Sequence, residues 1–97
     1  MPLRYLFKST FQKAFDQFPQ EKQILVAKAI EAICQYISSG KASYGLRIKK
    51  LHDGGLRKTF EARVAIDLRI VWVQTKGEIV FALLGNHNEV RRFIKNL

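Results

Sequence analysis

At 97 residues the chain is close to the commonest size of one domain, and with 47% hydrophobic residues it can bury a single core without disulfides or metal. Seventeen Lys and Arg against eight Asp and Glu leave a formal net charge of +9, which points to a polyanionic partner, either a nucleic acid or an acidic protein. A lone cysteine, Cys34, leaves no disulfide framework and no Cys/His metal cluster, and no apolar run approaches the roughly 20 residues of a membrane span. Met1-Pro2-Leu3-Arg4 lacks the apolar stretch of a signal peptide, so a single cytoplasmic domain over 1–97, away from membranes, is expected.

Leu3 to Leu6 reads as a short first strand. Phe7, Phe11, Phe15 and Phe18 then recur at intervals of four, four and three, a helical stripe of rings suited to a core. Ser9 is placed to cap this helix, and Pro19 disfavours helical geometry at Phe18, so the helix should end there. A second helix is predicted from about Gln20 to Ser38, with Val26, Ile30, Ile33 and Ile37 on one face and Ser39-Gly40 as its stop. From Gly45 the period changes to two, and Leu46 and Ile48 alternate with Arg47 and Lys49 in a second strand. His52-Asp53-Gly54-Gly55 is a turn or loop. Arg57 to Val64, Leu68 to Gln74 and Glu78 to Leu84 read as three more strands. Asn88 is placed to cap a last amphipathic helix that buries Val90, Phe93, Ile94 and Leu97. The expected fold is a small α+β domain of order βααββββα, an antiparallel sheet with an N-terminal helical hairpin on one face and a short C-terminal helix.

Charge is unevenly spread along this frame. Residues 1–40 hold five basic and three acidic side chains, whereas residues 41–97 hold twelve and five, so the basic surface belongs to the second half. Burial fixes the strand registers, because a slip of one residue turns every apolar side chain to the wrong face. A three-residue loop pairs Val64 with Leu68, Ala62 with Ile70 and Phe60 with Trp72, which sets Arg63 opposite Arg69 with Glu61 one step along. Like charges directly opposed destabilise a sheet, so either Glu61 neutralises them or the pair holds an anion. A two-residue Lys76-Gly77 turn pairs Trp72 with Phe81 and Ile70 with Leu83, placing Arg69 across from Leu84. Gly85, Asn86 and His87 then leave the sheet at the end where Arg63, Asp67 and Arg69 lie. Two arginines, a carboxylate and an imidazole at one edge suit phosphoryl chemistry, in which guanidinium groups stabilise charge and a group titrating near neutrality moves protons.

At these residues the chain resembles the RelE/ParE toxins of type II toxin-antitoxin systems, in particular the RelE/YafQ-like branch. The resemblance runs through the Phe7 to Phe18 helix, Gly45-Leu46-Arg47-Ile48-Lys49-Lys50-Leu51, Phe60-Glu61-Ala62-Arg63-Val64, Asp67-Leu68-Arg69-Ile70-Val71-Trp72 and Gly85-Asn86-His87-Asn88-Glu89-Val90. It implies a metal-independent, cofactor-free endoribonuclease that cuts messenger RNA on the ribosome by driving its own 2′-hydroxyl onto the adjacent phosphate, held in check by an acidic antitoxin. By position, Arg69 matches the arginine that contacts the scissile phosphate. His87 matches a catalytic acid or base, Asp67 an acidic catalytic position and His52 a loop histidine. Lys49 and Lys50 lie near a basic pair that, with Arg57 and Arg91, would hold RNA. The chain departs from the pattern in having Arg63 where the YafQ-like branch has a histidine, and in lacking a tyrosine in the last helix, where Arg91 or Phe93 stands.

Two other functions fit the same composition. A ParE-like toxin would bind and inhibit DNA gyrase without cutting nucleic acid and has no chemical need for His87. A third reading is a basic nucleic-acid-binding domain whose activity has been lost.

Overall fold

The computed structural model describes residues 3–41 and 45–97, in the order β1 (Arg4–Phe7), α1 (Ser9–Gln17), α2 (Gln20–Ser39), β2 (Lys49–Asp53), β3 (Lys58–Ala65), β4 (Leu68–Thr75), β5 (Glu78–Gly85) and α3 (His87–Lys95). The five strands form one sheet in the order β1-β5-β4-β3-β2. Strands β2 to β5 are antiparallel to their neighbours, as the short turns between them require. Strand β1 instead joins β5 in parallel, Arg4 beside Glu78 and Phe7 beside Phe81, which makes the sheet mixed. The two helices that follow β1 carry the chain across the sheet and so permit this parallel return.

The helices end where the sequence says they should. Phe18 is extended (φ −78°, ψ 148°) ahead of Pro19, and Gly40 takes the left-handed conformation (φ 78°) with its N–H donating to the Tyr36 carbonyl, the αL stop that glycine adopts without a Cβ penalty. Two caps differ from expectation. Lys8, not Ser9, precedes α1, and no side chain caps that helix. Asn86, not Asn88, caps α3: its Oδ1 accepts from the Glu89 N–H at 2.9 Å, while Glu89 Oε1 accepts from the Asn86 N–H at 3.0 Å. This reciprocal box satisfies two donors that a helix start leaves unpaired and stabilises it by about 1 kcal/mol.

α1 packs on β5 and α2 on β3, both on one face of the sheet. Phe11, Val26, Ala29 and Ile33 from the helices meet Ala62, Ile70, Trp72, Phe81 and Leu84 from the strands, all buried. Phe7 lies at the end of β1 rather than in the helix, with its ring stacked on Phe81 at 4.9 Å. On the opposite face Val71 and Val73 are also buried, and α3 packs there against β4 and β5 with Val90 inward. Leu97, expected to be buried, is half exposed.

Three bulges adjust the expected registers. Ala62–Ile70, Phe60–Trp72 and Arg63–Arg69 pair as predicted, but Val64 is the extra residue of a bulge, so Ala65 faces Leu68 across a two-residue turn of Ile66-Asp67. The Trp72–Phe81 pairing also holds, yet a bulge at Ala82 shifts the rest by one: Leu84 faces Ile70, and Gly85 rather than Leu84 faces Arg69. A third, at Leu51, lies in β2, which starts three residues later than the alternation at Leu46 suggests and runs through His52 and Asp53, expected in a turn. Bulges of this kind bend a strand and re-aim its side chains without breaking the sheet.

Candidate functional site

α3 packs on β4 and β5, and beside it on the same face of the sheet the register assembles a cationic strip. Arg63 and Arg69 are directly opposed across β3 and β4. Glu61, one position along the same face of β3, is only 8% exposed, and its Oε2 accepts from Arg69 Nη1 at 3.1 Å. Lys49 lies across from Glu61 on the β2 side and is exposed. One carboxylate therefore stands among three cations. The Nε of Arg63 is buried and has no hydrogen-bond partner among the described residues. A buried guanidinium nitrogen without an acceptor is costly, and because it is closed to solvent an anion reaches it only if the Arg63 side chain shifts.

His87 enters from the neighbouring strand. Gly85 faces Arg69, and two residues later His87 is the first residue of α3, exposed to solvent. Chain length bounds the separation: the His87 Cα is within about 13 Å of the Arg69 Cα, a span that an arginine and a histidine bridge through one phosphate. Gly85 also makes room for the cap. A Cβ there would stand 2.8 Å from Glu89 Oε1, the oxygen that fixes the start of α3 and hence the place of His87.

The remaining residues singled out from the sequence fall in three other places. Asp67, at the β3–β4 turn, is 3.7 Å from Lys22 of α2, and it lines a hollow of about 460 Å³ that also takes in Gly85, Asn86 and Glu89. It thus reaches the neighbourhood of His87 from the α2 side instead of joining Arg63 and Arg69. His52 faces Thr59, four residues along β3 from Arg63, so it sits about 13 Å down the sheet; with Arg57, Gly54, Asn96 and Leu97 it lines a separate hollow of about 390 Å³. Lys50 is on the other side of β2 from Lys49 and is paired with Asp53 at 3.1 Å. The Gly55 N–H first, and the Lys50 ammonium second, hold the Asp53 carboxyl below its ordinary pKa. Arg91 lies on the exposed side of α3 with Asn88, Arg92 and Lys95. Arg92 and Lys95 were not singled out from the sequence, although their spacing from Asn88 and Arg91 marks one helical face.

No family model matches the sequence, and no curated protein does. Solved structures do. A chain of the archaeal RelE-RelB complex from Pyrococcus horikoshii superposes with a TM-score of 0.70 at 18% identity, over 89% of this chain and 96% of that one. A chain of the DinJ-YafQ toxin-antitoxin complex from E. coli gives 0.67 at 12% identity, over 93% and 98%. The YoeB dimer from Staphylococcus aureus gives 0.66 at 20% identity, over 90% and 99%. With superposition over nearly the full length of each chain, this chain has the RelE-type toxin fold.

Proposed function

We propose that this protein is the toxin of a toxin-antitoxin pair and acts as an endoribonuclease on ribosome-bound messenger RNA. The observation that carries the reading is the opposed Arg63–Arg69 pair, with a single carboxylate partner and an unsatisfied guanidinium nitrogen among the described residues, at the sheet end from which His87 departs. In the reaction the RNA 2′-oxygen bonds to the adjacent phosphorus as its proton leaves to a base. The P–O5′ bond breaks and an acid protonates the departing oxygen, giving a 2′,3′-cyclic phosphate and a 5′-hydroxyl. Arg69 and Arg63 stabilise the charge gathering on the phosphorane oxygens. His87 transfers one of the two protons. Asp67 is the better placed of the two other candidates to assist it, because it shares a hollow with Gly85 and Asn86, whereas His52 is farther down the sheet. The chemistry uses no metal or organic cofactor. Mapping new 5′ ends on messenger RNA after expression tests the reading. Growth arrest without new ends, accompanied by gyrase-dependent DNA damage, would replace it with a gyrase poison.

RNA affinity is expected to fall with salt at roughly 0.7 released ions per phosphate contacted on a single strand. Lys49→Ala should flatten that slope by about one contact without moving the cleavage site, and Lys50→Ala, whose ammonium is committed to Asp53, should leave it nearly unchanged. Equal slopes for Lys49→Ala and the parent chain would return Lys49 to the solvated surface.

The antitoxin, an acidic protein, is expected to cover the basic second half of the chain and so occlude the strip. Hydrogen exchange on the complex should show new protection in β2, β4 and α3. Protection confined to residues 7–38 would contradict this placement.

A further inference from the structure

We infer that Glu61 is a positioning residue that aims the Arg69 guanidinium and holds the strip together at some expense of its affinity for RNA; the inference rests on the nuclease reading above. A carboxylate is an odd resident of a phosphate site, since it repels the ligand. Yet Glu61 lies near the middle of the cationic strip and nearly buried, with Lys49 opposite it on β2, Arg63 two residues along on its own face and Arg69 diagonal to it. Among the described residues its Oε2 accepts only from Nη1 of Arg69. A guanidinium is a rigid planar fork, so fixing one end fixes the direction of the remaining N–H groups. Those groups then present one fixed edge to an incoming phosphate, with no reorientation left for the moment of reaction. Glu61 also offsets the repulsion between Arg63 and Arg69, which directly opposed like charges would otherwise suffer.

Two substitutions separate aim from charge. Glu61→Gln removes the negative charge and with it the charge-assisted bond that fixes Arg69 Nη1, leaving only a weaker neutral acceptor. Glu61→Asp keeps the charge and withdraws it by one methylene. If Glu61 positions Arg69, the Gln variant binds an RNA oligonucleotide more tightly and with a steeper salt slope, while its single-turnover cleavage at saturating enzyme slows by about 10- to 100-fold, the range expected when a reacting group is misplaced by about 1 Å. The Asp variant slows similarly with affinity unchanged. Opposed movement of affinity and rate is what a merely structural role would not produce, because loss of fold lowers both together with the melting temperature.

A third measurement does not depend on cleavage. Nitrogen NMR of the guanidinium should resolve separate Nη signals for Arg69 in the parent chain, the mark of a side chain that does not rotate freely, and averaged signals in both variants. Parent-like cleavage by Glu61→Gln, or averaged Arg69 signals already in the parent chain, would overturn the inference. A parent chain that cuts no message but shows the resolved Arg69 signals would overturn the nuclease reading and leave the positioning intact.

Discussion

Replacing His87 by alanine is expected to slow single-turnover cleavage of ribosome-bound message by about 100- to 10,000-fold, the contribution of a positioned general acid or base. The melting transition should stay where it is. His87 is exposed and its side chain takes part in no hydrogen bond within the described residues, while the start of α3 is held by Asn86 and Glu89. The loss should therefore reside in the rate and not in the amount of folded protein. Full cleavage and full growth inhibition by well-folded His87→Ala would remove the histidine from the mechanism and favour the gyrase-binding alternative.

Arg69→Ala is expected to cost on the order of 100-fold or more in cleavage, as loss of a preorganised charge at an oxyanion does. Unlike the histidine variant it should also melt earlier. Its partner Glu61 retains about 10% of its side-chain exposure and would be left nearly buried without a counter-charge. Breaking a fully buried pair from one side costs about 3–5 kcal/mol, and the residual exposure of both partners brings the expected loss to about 1–3 kcal/mol. Arg69→Lys separates the two effects: an ammonium still neutralises Glu61 and restores the melting temperature, but it lacks the planar fork, so cleavage stays low. Combining Arg69→Ala with His87→Ala should lose less than the two singles together if both act in one step. Cleavage that recovers fully in Arg69→Lys would reduce the role of Arg69 to charge alone.

The order of elements and the faces of the strands were legible because they rest on periodicity, and Phe60, Ala62, Ile70, Trp72 and Phe81 alternate without exception. The opposition of Arg63 and Arg69, and the presence of Glu61 beside them, followed from that alternation. What was not legible turns on single inserted residues. Ala82 and Val64 carry nothing that announces a bulge, since both are ordinary strand residues, and each moves the register beyond it by one position. The parallel pairing of β1 links residues far apart in sequence, and no local pattern encodes it. The Asn86-to-Glu89 spacing, by contrast, is a readable capping signature that competed with Asn88 two residues later. At the site, order along the chain gathered Asp67 with Arg69, and the family resemblance added His52. The structure disperses them because Asp67 sits in the β3–β4 turn beside Lys22 of α2, and because His52 and Arg63 are separated lengthwise along β2 and β3.

The position of β5 has a consequence for how the protein comes into being. This strand, at residues 78–85, lies inside the sheet between β4 and β1, and its first neighbour, at residues 4–7, is synthesised long before it. Until β5 leaves the ribosome, β1 has no partner, Phe7 and Phe11 have no Phe81 to stack against, and α1 has no strand to pack on. Pairings of such long range form late, after the entropy of closing the intervening chain has been overcome. A nascent chain is therefore an incomplete sheet until β5 has been made, and the core and the Arg69–His87 edge close together once it pairs with β1 and β4.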